Sequence, residues 1–275
     1  MAFIDGLSPG EMLMLIAALT GAGLLAGLSG GLLGIGGGIV IVPIFVEILR
    51  LAGVEIGVAV HVAVGTSLAT IIFNSVRSVA AHARRDAVDW PLLRRYGPAV
   101  FAGAALGSVA AAVISGEGLK AFFGVVCVAF AAYVALAPMR WVLTPEVPRH
   151  LLSHAVAALL GFVSALMGIG GGTFGVTAMT LCGIAIHRAV ATGAGLGVLI
   201  GAPATLGFVV FGWNASGLPP FSLGYVNWAA LAILAPTSVI AAPWGARLAH
   251  ALPARTLRVV FGGFLAASGL RMLLS

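Results

Sequence analysis

From Met12 to Leu274 the chain is a succession of apolar runs, most of them near twenty residues and separated by short breaks. A bilayer's hydrocarbon core is about 30 Å thick, so a helix needs about 20 residues to cross it. Of the 275 residues, 61% are hydrophobic and 8% charged. Soluble domains carry about 25% charged residues, so this chain has too little polar surface for a water-soluble globule. Its runs also lack the apolar–polar alternation of a transmembrane barrel. The pattern predicts an all-α polytopic membrane protein.

Ten segments are expected. The first half holds Met12–Leu33, Ile39–Leu51, His61–Ala81, Leu92–Ile114 and Leu119–Ala137. The second holds Leu151–Met167, Thr173–Ile186, Ala189–Trp213, Val226–Ala249 and Arg255–Leu274. A polar stretch with three prolines, Pro138 to His150, separates them. The halves repeat in order. Gly34–Gly38 (GIGGG) matches Gly168–Gly172, and HVAVGTS from His61 matches HRAVATG from His187. Asp89-Trp90 matches Asn227-Trp228, Pro98 matches Pro236, Gly107 matches Gly245, and LKAFFG from Leu119 matches LRVVFG from Leu257. The organisation read is a first repeat over residues 1–137, a cytoplasmic linker over 138–150 and a second repeat over 151–275.

Charge sets the orientation. Arg84, Arg85, Arg94 and Arg95 crowd the connection after the third segment, which is expected on the cytoplasmic side. Counting from there puts both termini outside. Five segments per half is odd, so the second half is inverted, a signature of secondary transporters. The net charge of +6 does not point to nucleic acid, because the arginines lie in short loops rather than in a stripe with interleaved aromatics. Cys127 and Cys182 sit within apolar runs and read as small buried side chains. The start, MAFIDGLSPGEM, has no basic n-region, so no cleavable signal is expected.

The second and seventh segments are short, and each follows GIGGG. Four glycines in five residues oppose a helix, and non-helical backbone at membrane depth is tolerated only beside protein or a water-filled cavity. Paired, glycine-broken short segments mark a transporter's binding site. Gly36, Gly37, Gly38, Gly170, Gly171 and Gly172 would bare helix N-terminal N–H groups to an anion. Close helix packing is the competing reading. Gly37→Val or Gly171→Val is expected to abolish binding without unfolding the protein.

Thr66, Ser67, Thr192 and Asn74 are candidate hydroxyl and amide donors to the same anion. Arg77, three residues after Asn74 on one helix face, either attracts an anion or snorkels to the interface. His61 and His187 read as caps or interfacial groups. Glu47 reads as an interfacial acid near Arg50, and no Asp or Glu follows Glu146, which leaves little for a carboxylate proton relay. Ser29, in Gly27-Leu28-Ser29-Gly30, raises an intramembrane serine hydrolase, but no histidine sits at an obviously central position to act as its base. No catalytic residue, cofactor or metal site is expected.

GIGGGxxxxP, HxAVGTS and AHARRDAVDW, followed by a long apolar hairpin and all repeated, resemble the TauE/SafE family of sulfite and organosulfonate exporters, also called the toluene-sulfonate uptake permease family. The resemblance runs from about Gly23 to Leu274. It implies a multi-pass carrier in a bacterial inner membrane whose partners are a small sulfur-containing anion and the lipid bilayer. Coupling to H+, to Na+ or to neither is left open, and an anion channel is the alternative. Thr177 stands where the family's second proline is usual, Thr192-Gly193 replaces Thr-Ser, and Arg77 replaces a small or hydroxyl residue.

Overall fold

The structure is a computed structural model and describes residues 9–33, 36–136, 142–144, 147–148, 150–251 and 254–274. Gly34 and the greater part of the linker, with Arg140, lie outside the described residues. The first half contributes α1 (Pro9–Leu33), α2 (Gly38–Leu51), α3 (Ile56–Ala83), α4 (Trp90–Val113) and α5 (Gly116–Leu136). The second contributes α6 (Leu151–Met167), α7 (Gly172–Leu181), α8 (Ile186–Gly212), α9 (Trp228–Ala251) and α10 (Ala254–Leu274). Between α8 and α9 a minimal antiparallel pair joins β1 (Ser222–Leu223) to β2 (Val226–Asn227), with Ser222 opposite Asn227.

Six of the described helices are long and apolar enough to cross a membrane. Large apolar side chains on their outer faces, such as Leu106, Val125 and Leu206, are exposed. That surface suits lipid and not water. The most buried of the six is α3, whose inner face carries Val60, Val64, Leu68 and Ile71.

Several expected boundaries shift. The seventh segment does not run to Ile186: α7 stops at Leu181, and Gly183 turns the chain at φ +74°. Ile184 and Ile186 carry the hydropathy past that turn, so the apolar run conceals the end of the helix. The third helix begins at Ile56, a turn before His61, and the eighth begins at Ile186. Residues Val226 and Asn227 are strand, not the start of α9.

The principal pairings are α1 with α9, α4 with α6, α5 with α10 and α3 with α8. Further contacts join α4 to α8, α3 to α9, α2 to α3 and α7 to α8. Exchanging each helix of the first five with the one five later maps these pairings onto themselves, whereas α1–α2 has only a weak counterpart in α6–α7 and α3–α5 has none of comparable extent. The register repeats as well. Gly27 of α1 sits against the carbonyl of Ser238 on α9, and Gly161 of α6 sits against that of Val100 on α4. Gly245 lies on the carbonyl of Leu28, and Gly107 on that of Phe162. At each contact there is no room for a Cβ, so these glycines let the backbones meet.

Candidate functional site

The two glycine loops are built differently from the same residues. In the first, Gly36 and Gly37 take left-handed conformations (φ +74° and +80°), which glycine adopts without strain. Gly37 caps α2, its carbonyl accepting the N–H groups of Val40 and Ile41 at 3.0 and 3.2 Å. In the second, the left-handed residue is Gly168 (φ +66°) at the end of α6, while Gly171 caps α7 in a helical conformation. Ser67 of α3 donates to the Gly168 carbonyl at 2.8 Å, and Gly38 packs on the same oxygen. The loops thus meet: a Cβ on Gly36 would stand 3.9 Å from Cα of Gly170.

Where they meet there is a chamber of about 80 Å³. Gly36 comes to its wall from the first loop and Gly170, Gly171 and Gly172 from the second. Asn74, Ser75 and Ser78 of α3 and Ser238 of α9 supply the polar side chains. The Asn74 amide donates to the Ser238 hydroxyl at 2.7 Å, while its carbonyl oxygen is buried without a partner. The first N–H groups of α7 have no intrahelical acceptor and carry the positive end of the helix dipole. The hydroxyl of Thr173, in that first turn, is also buried and unpartnered.

A vestibule of about 480 Å³ adjoins the chamber and shares Gly30, Gly31, Asn74 and Ser78 with it. Its wall carries Arg77, His82, Arg85 and Arg247, and no carboxylate is among its described lining residues. Low-dielectric walls around charge of one sign focus the field along such a passage.

Sequence reasoning placed ten further residues beside Gly36, and they divide. Gly170, Gly171, Gly172 and Asn74 line the chamber, and Arg77 lines the vestibule. Thr66, Ser67, Thr192, Gly37 and Gly38 line neither. The Thr66 hydroxyl accepts the backbone N–H of Asn227 at 2.9 Å, and the Thr192 hydroxyl accepts that of Asp89 at 3.0 Å. Asn227 and Asp89 cap α9 and α4 in turn, accepting from Ala230 and Leu92. The matched threonines therefore clamp matched helix starts. Valine at Gly37 would not leave the fold intact as expected, because the position has φ +80° and a Cβ would lie 2.6 Å from the Ala26 carbonyl oxygen. At Gly171 a Cβ would collide with Leu196 of α8.

Other singled-out groups have structural partners. His61 is buried with its ring nitrogens 2.8 Å from the Gly57 carbonyl and 2.9 Å from that of Ala111, and it stacks on Tyr225. His187 is exposed. Glu47 pairs with Arg50 at 3.5 Å and with Arg271 of α10 at 3.2 Å. Ser29 donates to the carbonyl of Ala26 in its own helix. The residues sequence reasoning missed are Ser75, Ser78 and Ser238. Ser78 shares a helix face with Asn74, an i, i+4 signal that was there to read.

The chain matches the sulfite exporter TauE/SafE family over residues 19–272. It is 32% identical over 95% of its length to a probable membrane transporter protein of Haemophilus influenzae, 98% of which is covered. A probable membrane transporter protein of Methanocaldococcus jannaschii is 28% identical, over 96% of this chain and 97% of that one. YunE of Bacillus subtilis, also a probable membrane transporter protein, is 27% identical over 86% and 90% of the two chains. No solved structure matches. With its apolar helices and a match over nearly its whole length, this chain is a multi-pass membrane transporter and belongs to the TauE/SafE sulfite exporter family.

Proposed function

We propose that the chain is a secondary carrier of a small anion, of the sulfite or organosulfonate class, working by alternating access. The observation that carries this reading is the meeting of both glycine loops at one chamber that adjoins a carboxylate-free, arginine-lined vestibule. The α7 N-terminus, Gly36 and the side chains of Asn74, Ser75 and Ser238 hold the anionic head. Arg77, Arg85 and Arg247 gather it from the aqueous phase. A chamber of about 80 Å³ has room for a few waters or one small oxyanion.

The same reading takes the fold as ten membrane segments in two inverted five-segment repeats, residues 1–137 and 151–275, joined by the 138–150 linker. The self-mapping helix pairs and the repeated glycine contacts support it. The arginine-lined face is cytoplasmic and both termini are outside, in a bacterial inner membrane. A carrier is favoured over a channel because Val64, Ile200 and Phe208, the counterparts of vestibule-lining Val190, Asn74 and His82, are buried. An anion leaving down the membrane potential gains about 2.3 kcal/mol per charge per 100 mV, so outward transport needs no coupling ion.

The test is counterflow of labelled sulfite in proteoliposomes, with a small sulfonate, sulfate and chloride as competitors. The expected result is saturable exchange that sulfite or a sulfonate suppresses and chloride does not. Conductive flux that does not saturate would favour the channel. An absence of exchange of every one of these anions, from folded protein, would contradict the small-anion reading.

A further inference from the structure

The two halves share register but not chemistry where the chamber is gated. Because Gly27 sits on the Ser238 carbonyl and Gly161 on that of Val100, Ser238 and Val100 occupy equivalent places. Because Thr66 and Thr192 clamp the equivalent helix starts, equivalent residues of α3 and α8 differ by 126 in number, which makes Ile200 the counterpart of Asn74. Asn74 and Ser238 are hydrogen-bonded to each other and line the chamber. Ile200 and Val100 are 2% and 3% exposed. The contact between α3 and α9 thus carries a polar pair where its symmetry mate, between α8 and α4, carries an apolar pair, and each pair takes one residue from each half. The contrast extends outward along the same faces: Arg77 corresponds to Pro203, and Arg247 to Val109.

In an inverted-repeat carrier the opposite-facing state arises as one repeat rocks against the other about the fixed site. To a first approximation each half then takes the conformation of its mate. Asn74 and Ser238 would close into the buried positions that Ile200 and Val100 now fill, and the apolar pair would face the ligand. Both glycine loops stay at the site, but the side-chain donors leave it and the arginines are sealed off. Resting on the carrier reading above, we infer that the protein binds its anion asymmetrically, tightly when the chamber opens to the arginine face and weakly when it opens to the other. Detailed balance keeps the equilibrium distribution untouched. The asymmetry instead sets which face is saturated at low anion concentration and which face releases readily.

The experiment measures initial rates of labelled sulfite uptake into right-side-out and inverted membrane vesicles from producing cells, without a membrane potential. Rates from vesicles lacking the protein are subtracted. Loss of a hydrogen-bond donor to an ion implies half-saturation concentrations that differ by about tenfold or more between the two orientations. Asn74→Leu, and independently Ser238→Ala, should raise the lower value and leave the higher one in place. Val100→Ser with Ala204→Ser, which copies Ser238 and Ser78 into the mate positions, should lower the higher value. Equal half-saturation in both orientations of the unaltered protein would overturn the inference while leaving the carrier reading standing. So would Asn74→Leu and Ser238→Ala shifting both values alike. Absence of saturable uptake of sulfite and of a small sulfonate in both orientations would overturn the carrier reading and this inference together.

Discussion

The first and second glycine loops share the residues GIGGG and divide the labour between them. The second loop gives Gly170, Gly171 and Gly172 to the chamber wall, and its left-handed turn is displaced to Gly168. Of its described residues the first gives only Gly36, because Gly37 forms a left-handed cap against α1 and Gly38 closely approaches the Gly168 carbonyl. Identical motifs thus give their residues to packing and to the chamber wall in different proportions. Of the two readings of GIGGG, packing is seen in both loops, and the anion site is the reading proposed above.

The sharpest way to break the comparison is valine at Gly37. The strained backbone and the contact with Ala26 should together destabilise the fold by about 3 kcal/mol, seen as aggregation or an early thermal transition in detergent. Gly171→Ala presses on α8 and should cost about 1–3 kcal/mol, with a folded fraction still recoverable. Thr66→Val and Thr192→Val each strip a helix-start N–H of its acceptor, at about 1–3 kcal/mol. The Thr66 change should cost more because the bond to Asn227 is buried and that to Asp89 is only partly so. Thermal denaturation of the two variants side by side checks the order. Neither should change the half-saturation for anion in the protein that remains folded.

Arg77→Gln acts on the vestibule alone. It should raise the half-saturation concentration about two- to tenfold at low ionic strength, with the effect shrinking as salt screens the field. The smallest effect is expected of Ser29→Ala. Its hydroxyl is bonded back to its own helix, so stability should move by less than about 0.5 kcal/mol and transport should be unchanged. Labelling of Ser29 by a fluorophosphonate probe, lost in Ser29→Ala, would revive the serine-hydrolase reading.

The apolar runs, the short glycine-broken helices and the matched landmarks were legible because each is a local or periodic property of the sequence. What was hidden depends on distance along the chain. Thr66 finds its partner 161 residues away and Thr192 finds its own 103 residues away, so their hydroxyls read as free donors. Ser238 was invisible as a site residue because, among the small residues of α9, only its contact with Asn74 marks it. Comparison of the two halves position by position would have flagged it, since a serine there faces a valine in the mate.

The most direct test of the central claim, that the anion sits where the glycine loops meet, is Gly36→Ala. A methyl group there has space, with the nearest atom 3.9 Å away, and costs about 1–2 kcal/mol of left-handed strain. It stands 3.9 Å from both Gly170 and the Ile71 side chain, at the chamber wall. Labelled sulfite counterflow should show a folded Gly36→Ala protein whose exchange is abolished or whose half-saturation is raised at least about tenfold. Exchange with unaltered half-saturation would place the anion elsewhere and contradict the account.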